Sequence, residues 1–136
     1  VEGGGGVGAP RRRRGGGGGI SDPHPPRPAT LRRAIAFIES NPGRAVTVAD
    51  VAAAAFVTPR AVQLAFRRHL DTTPMRYLQT VRLERAHHDL IAADPRRTTV
   101  SEIATRWGFG SLSRFAAAYR AMHGVPPSHT LGGRRR

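Results

Sequence analysis

The fold class this sequence predicts is all-α, and three observations predict it. From Ala29 onward, apolar residues recur at helical spacing. No segment alternates apolar and polar residues as a half-buried strand requires. One pattern, a short helix, a tight turn and a longer helix, occurs twice. The chain has 136 residues, and not all of them belong to this body. Residues 1–29 are low-complexity, with Gly3–Gly6, Arg11–Arg14, Gly15–Gly19 and then Pro23, Pro25, Pro26 and Pro28. Such a stretch buries too little apolar surface to offset its ordering entropy. It reads as a disordered Gly/Arg/Pro-rich tail or linker. The body is set at 30–131, and 132–136 is a short basic tail.

Each helix has its own start and stop signals. Leu31, Ala34, Ile35 and Ile38 form the apolar face of the first helix, which Asn41–Pro42–Gly43 ends. Thr47 and Asp50 have the spacing of a capping box, and Val48, Val51, Ala52 and Ala55 continue as a second helix. A break near Phe56–Thr58 leads to Pro59, a residue suited to a first helical turn. Val62, Ala65, Phe66 and Leu70 mark the third helix. Asp71–Thr72–Thr73 introduces a fourth at Pro74, with Leu78, Leu83, Ala86 and Leu90 inward and Asp94–Pro95 at its end.

The second half then repeats the first. Val48–Val57 aligns with Val100–Phe109, so that Thr99 and Glu102 form a second capping box and Phe56 falls opposite Gly108. After one extra residue in the second turn, Thr58 meets Ser111, Val62 meets Phe115, Phe66 meets Tyr119, Arg67 meets Arg120 and Pro74 meets Pro127. The expected layout is a first helix-turn-helix at about 48–70, a linker helix at about 74–92 and a second helix-turn-helix at about 100–123. The aromatic residues Phe56, Phe66, Trp107, Phe109, Phe115 and Tyr119 sit at helical or turn spacing and are expected in the core.

Charge narrows the function. There are 22 basic residues, all arginine, against 9 acidic ones, a net charge of +13. Such a surplus favours polyanions, nucleic acid first, through Coulomb attraction and counterion release. With no cysteine, disulfide scaffolds, Cys-based zinc sites and thiol chemistry are excluded. The histidines are scattered. His87 and His88 are adjacent and point in different directions on a helix, so neither a metal nor a cofactor is expected. The glycine-rich stretch lacks the G-K-[ST] of a phosphate loop, and no nucleophile elbow is present, so an enzyme is not expected. No apolar run approaches the ~18 residues of a membrane span, and no signal-peptide pattern is present. The expected setting is cytoplasmic and nucleoid-associated.

The stretches V-A-A-A-A-F-V-T-P-R-A-V-Q-L-A-F-R-R-H-L (51–70) and I-A-T-R-W-G-F-G-S-L-S-R-F-A-A-A-Y-R-A-M-H-G-V-P-P-S (103–128) resemble the DNA-binding domain of the bacterial AraC/XylS transcription regulators. Thr73-Pro74, Tyr77-Leu78, Arg82-Leu83 and Ala86 resemble that family's linker helix. The resemblance covers roughly Ala29–Leu131. It implies two homeodomain-like helix-turn-helix units bridged by a rigid helix, which together read two successive major grooves of double-stranded DNA. It also implies regulation of transcription, with RNA polymerase as a further partner whose contact surface the sequence does not locate. Most relatives carry a separate effector-sensing or dimerisation domain, which this chain has no room for, and it is expected to bind as a monomer. The chain departs from the family at Phe56 and Asp71, where glycine is frequent, and at Ala117, where arginine is common.

Site residues follow from helix phase and from the resemblance. Arg60, Gln63 and Leu64 on the first recognition helix, and Leu112, Ser113, Arg114 and Ala117 on the second, are the candidate base contacts. Arginine pairs with guanine, glutamine with adenine, and small apolar groups touch the thymine methyl. Thr58, Arg67, Arg68, Ser111 and Arg120 are the candidate phosphate contacts. Ala116 is also placed outward. Arg60 and Arg114 are each open to phosphate contact instead of base contact, and the second helix to reading DNA shape. Arg82 is expected to pair internally with an acidic residue, Glu102 or Asp50. The rival readings are a non-specific nucleic-acid binder driven by its arginine runs, and a helical protein-interaction module that has lost DNA reading.

Overall fold

The computed structural model describes residues 28–133. The segments 1–27 and 134–136, which include most of the expected tails, lie outside the described residues. Among the described residues seven helices follow one another: α1 (Ala29–Ser40), α2 (Val48–Ala54), α3 (Pro59–Leu70), α4 (Pro74–Ala92), α5 (Val100–Arg106), α6 (Leu112–His123) and α7 (Pro127–Thr130). A 3-10 turn, Leu131–Gly133, follows them. There is no strand among the described residues. The fold is all-α, as expected. Helix α1 starts one residue inside the expected tail, because Pro28 stands at its N-cap and Ala29 already turns. The packed body also runs two residues past 131. Leu131 packs on the core, and a side chain on Gly132 would come within 2.9 Å of Pro95. The four-residue α7 is too short to announce itself in sequence.

The starts of the helices are those the sequence encodes. The Thr47 hydroxyl accepts from the Asp50 amide at 3.1 Å, and the Asp50 carboxylate accepts from the Thr47 amide at 3.0 Å. Thr99 and Glu102 repeat this at 3.1 and 2.9 Å. Thr58, Thr73 and Ser111 cap α3, α4 and α6. Each such cap stabilises its helix by about 1 kcal/mol.

Packing divides the molecule into two cores. The first joins Leu31, Ile38, Val51, Val62, Phe66 and Leu78. The second joins Leu83, Leu90, Ile103, Phe115 and Tyr119. Only α4 contributes to both, with Leu78 in the first and Leu83, Ala86 and Leu90 in the second.

Three expectations need correction. Phe56 is not a core residue, being 80 % exposed with φ 62°. The Val57 amide bonds back to the Ala52 carbonyl, closing a Schellman turn that puts Phe56 in the left-handed region and aims its side chain outward. The other five aromatics do pack in the cores. Ala116 is half-buried rather than outward. Among the described residues, Arg82 pairs with no carboxylate. Its Nε donates to the Pro42 carbonyl at 2.7 Å and its Nη2 to the Arg44 carbonyl at 2.6 Å. The distance along the chain between α4 and this loop hid that pairing.

Candidate nucleic-acid interface

The exposed face of α3 is built by register. Val62 and Phe66 point into the core, so Arg60, Gln63, Leu64 and Arg67 share the opposite side. All four are exposed, and together with Thr73 they line one shallow concavity. Leu64 is 53 % exposed. Arg68 is exposed just beyond. Arg67 lies 3.8 Å from Asp71, an exposed pair that water screens. The basic last turn of α3, with Arg67, Arg68 and His69, also sits favourably at the negative end of the helix dipole.

The second face follows the same rule, with Phe115 and Tyr119 inward. Leu112, Ser113, Arg114, Ala117 and Arg120 are exposed. Among the described residues, Arg60, Arg68, Arg114 and Arg120 have no ion-pair partner. Their charge is therefore available to an anion. Thr58 and Ser111 each accept a backbone N–H as caps, which leaves the hydroxyl proton to donate.

Helix α6 is held by a buried polar contact that sequence reasoning missed. The Tyr119 hydroxyl donates to Thr130 Oγ1 at 2.8 Å and lies 2.7 Å from His87 Nδ1. Burial, the larger effect, and the charge of Glu84 push the phenol above its ordinary value, while the Thr130 bond pulls it down. His87 also stacks on His123 with centroids 4.1 Å apart. Only the i, i+4 spacing of Tyr119 and His123 hinted at this.

A groove between α4 and the α5–α6 turn was also not foreseen. Met75, Gln79, Arg82, Gly110 and Arg114 line it, so it adjoins the start of α6. The spacing of Met75, Gln79 and Arg82 along α4 is its sequence signal. No group of three or more potential metal ligands occurs among the described residues. No single described helix is long and apolar enough to cross a membrane.

Comparison with known proteins gives consistent likenesses. The family described as helix-turn-helix domain matches residues 51–133. The chain is 42 % identical over 110 residues to the probable thc operon regulatory protein of Rhodococcus erythropolis, covering 81 % of this chain and 33 % of that one. The chain thus spans about a third of the length of that curated relative. Among solved structures, a probable AraC family transcriptional regulator from Rhodopseudomonas palustris superposes with a TM-score of 0.70 at 34 % identity, covering 79 % of this chain and 98 % of that one. The DNA-binding domain of AdpA, solved in complex with a target DNA, superposes with a TM-score of 0.64 at 26 % identity, covering 74 % and 88 %.

Proposed function

This chain belongs to the AraC/XylS family of helix-turn-helix regulators, and on that premise we propose that α3 and α6 read two successive major grooves on one face of a duplex. The chain is an AraC-type DNA-binding domain, and the relatives it matches are transcription regulators, not enzymes. The observation that carries the finer reading is the duplication. Two 12-residue helices, each behind a capped 7-residue helix, present exposed faces from one polypeptide. In this reading Arg60, Gln63 and Leu64 contact bases in one groove, and Leu112, Ser113, Arg114 and Ala117 line the other. Thr58, Arg67, Arg68, Ser111 and Arg120 contact phosphates, which position the domain without carrying sequence. One chain holds both readers, so a monomer suffices, and the target is a promoter in the cytoplasmic nucleoid.

Selection of bound duplexes from a random library at moderate salt tests this reading. Two half-sites about one helical turn apart are expected. Binding without enrichment would replace the proposal with non-specific binding, and no binding at low salt would replace it with a protein-interaction module.

A further inference from the structure

The two cores do not merge, and the boundary between them falls at Arg82. On α4, Leu78 and Val81 belong to the first core and Leu83 begins the second. Burial of apolar area therefore stabilises each unit but does little to orient one against the other. What crosses the boundary is polar. From the middle of α4, Arg82 reaches the α1–α2 loop of the first unit and donates to two of its carbonyls, Pro42 and Arg44, at 2.7 and 2.6 Å. The same guanidinium bears on the turn of the second unit. A Cβ at Gly108 would lie 3.2 Å from Arg82 Cζ and 3.3 Å from Nη1. The two units also come close beside it. A Cβ at Gly43 would lie 3.6 Å from the Arg106 carbonyl and 3.7 Å from the Trp107 ring. Asp89 of α4 steadies that ring, accepting from Trp107 Nε1 at 2.7 Å and from Arg106 Nη1 at 2.8 Å.

From this seam we infer that Arg82 is a positioning residue that sets the separation and angle of α3 and α6, and with them the one half-site spacing the domain accepts. The inference rests on the reading that both helices dock in DNA. Arginine suits the position because its planar fork holds two acceptors at once, which a lysine ammonium does not do with the same rigidity. Burial lowers the Arg82 pKa below its ordinary value but leaves it charged. Two of its N–H groups are committed to carbonyls of the seam, so its expected effect on DNA is through geometry.

Two measurements on the full chain and its Arg82→Ala and Arg82→Lys variants test the assignment. The first is affinity for duplexes whose selected half-sites are moved by one base pair, a shift of ~3.4 Å with a rotation of about a tenth of a turn. The parent chain is expected to lose about 10-fold or more per step, comparable to a mismatched base pair. Arg82→Ala is expected to lose under about 3-fold per step and to bind the best site more weakly, with Arg82→Lys between the two. The second is the spread of distances between spin labels at His69→Cys and Ala121→Cys, both exposed, in a chain that has no cysteine of its own. Arg82→Ala is expected to broaden it without DNA.

A parent chain indifferent to spacing would sink the two-groove reading, while the label distances would still decide the seam. A folded Arg82→Ala with the parent's spacing preference and label distances would overturn the Arg82 assignment alone. Should Arg82→Ala fail to fold, Arg82→Lys, which keeps charge and stem, carries both measurements, and parent-like results from it would overturn the assignment equally.

Discussion

The two helix-turn-helix units share a scaffold and differ in almost everything they show to solvent. Helices α2 and α5 have the same length, as do α3 and α6, and the inward pairs Val62/Phe115 and Phe66/Tyr119 occupy equivalent places. The outward faces diverge. Where α3 presents Arg60, Gln63, Leu64 and Arg67, the aligned positions of α6 hold Ser113, the half-buried Ala116, Ala117 and Arg120. Of these, only the arginine persists, as Arg67 and Arg120. Backbone cost diverges as well. Phe56 and Asp71 are left-handed at φ 62° and 53°, where the second unit has Gly108 and Gly124 at 87° and 82°. The duplicated core preserves the fold, while each surface is free to take its own chemistry and its own strain.

The largest expected effect tests whether the cores are separate. Phe66→Ala and Phe115→Ala should each cost about 3–5 kcal/mol, read by urea unfolding. Hydrogen exchange should show α3 losing protection in the first variant and α6 in the second. Equal loss in both units would mean one cooperative core and end the comparison.

Next comes the contrast in reading. Replacing Arg60 and Gln63 together by alanine should cost about 1–3 kcal/mol per lost base contact and relax the first half-site. Replacing Ser113 and Arg114 together should cost less and act mainly on affinity and its salt dependence. Equal relaxation of both half-sites, measured by repeating the selection, would erase the difference in faces.

The strained turn gives a smaller, signed effect. Phe56→Gly should stabilise by about 1 kcal/mol, the left-handed penalty of 1–2 kcal/mol less what Phe56 gains over Arg33 at 5.3 Å. Gly108→Ala should destabilise by about 1–2 kcal/mol, as it adds the same penalty and crowds Arg82. Thermal melting reads both, and shifts of the same sign would sink this account.

The smallest effect belongs to the second unit alone. Tyr119 has its pKa raised in the folded chain, so its native state holds the proton more tightly than the unfolded state. That contribution is complete below the ordinary tyrosine value near 10 and is lost as pH rises through the folded value. Stability should fall above pH ~10, and Tyr119→Phe should make that fall shallower. An unchanged slope would show that the phenol does not drive it.

Much of this was legible in the residues. Capping boxes at Thr47 and Thr99, the proline starts and the repeat place the helices, because these are local signals read within a few residues. The exposure of Arg60, Gln63 and Arg114 follows from the phase of Val62 and Phe115. Phe56 was misplaced because apolar character argued for the core, although its alignment with Gly108 marked it as a turn position. Ala116 was misplaced because phase alone does not show how far a neighbouring helix reaches. The contacts of Arg82, Asp89, Tyr119 and Thr130 were invisible, since their partners lie 11 to 40 residues away in the chain.

By itself the sequence determined the helices α1 to α6, the side-chain caps of α2 to α6, the duplication and the basic character that points to DNA, because helical period, hydrogen-bonding side chains and charge act locally or add up without regard to shape. The tertiary structure alone decided how the two units meet. That meeting runs through Arg82 and Arg85 of α4, which donate to carbonyls of Pro42, Arg44 and Glu39, and through the approach of Gly43 to Trp107, a coincidence of distances that no periodicity encodes.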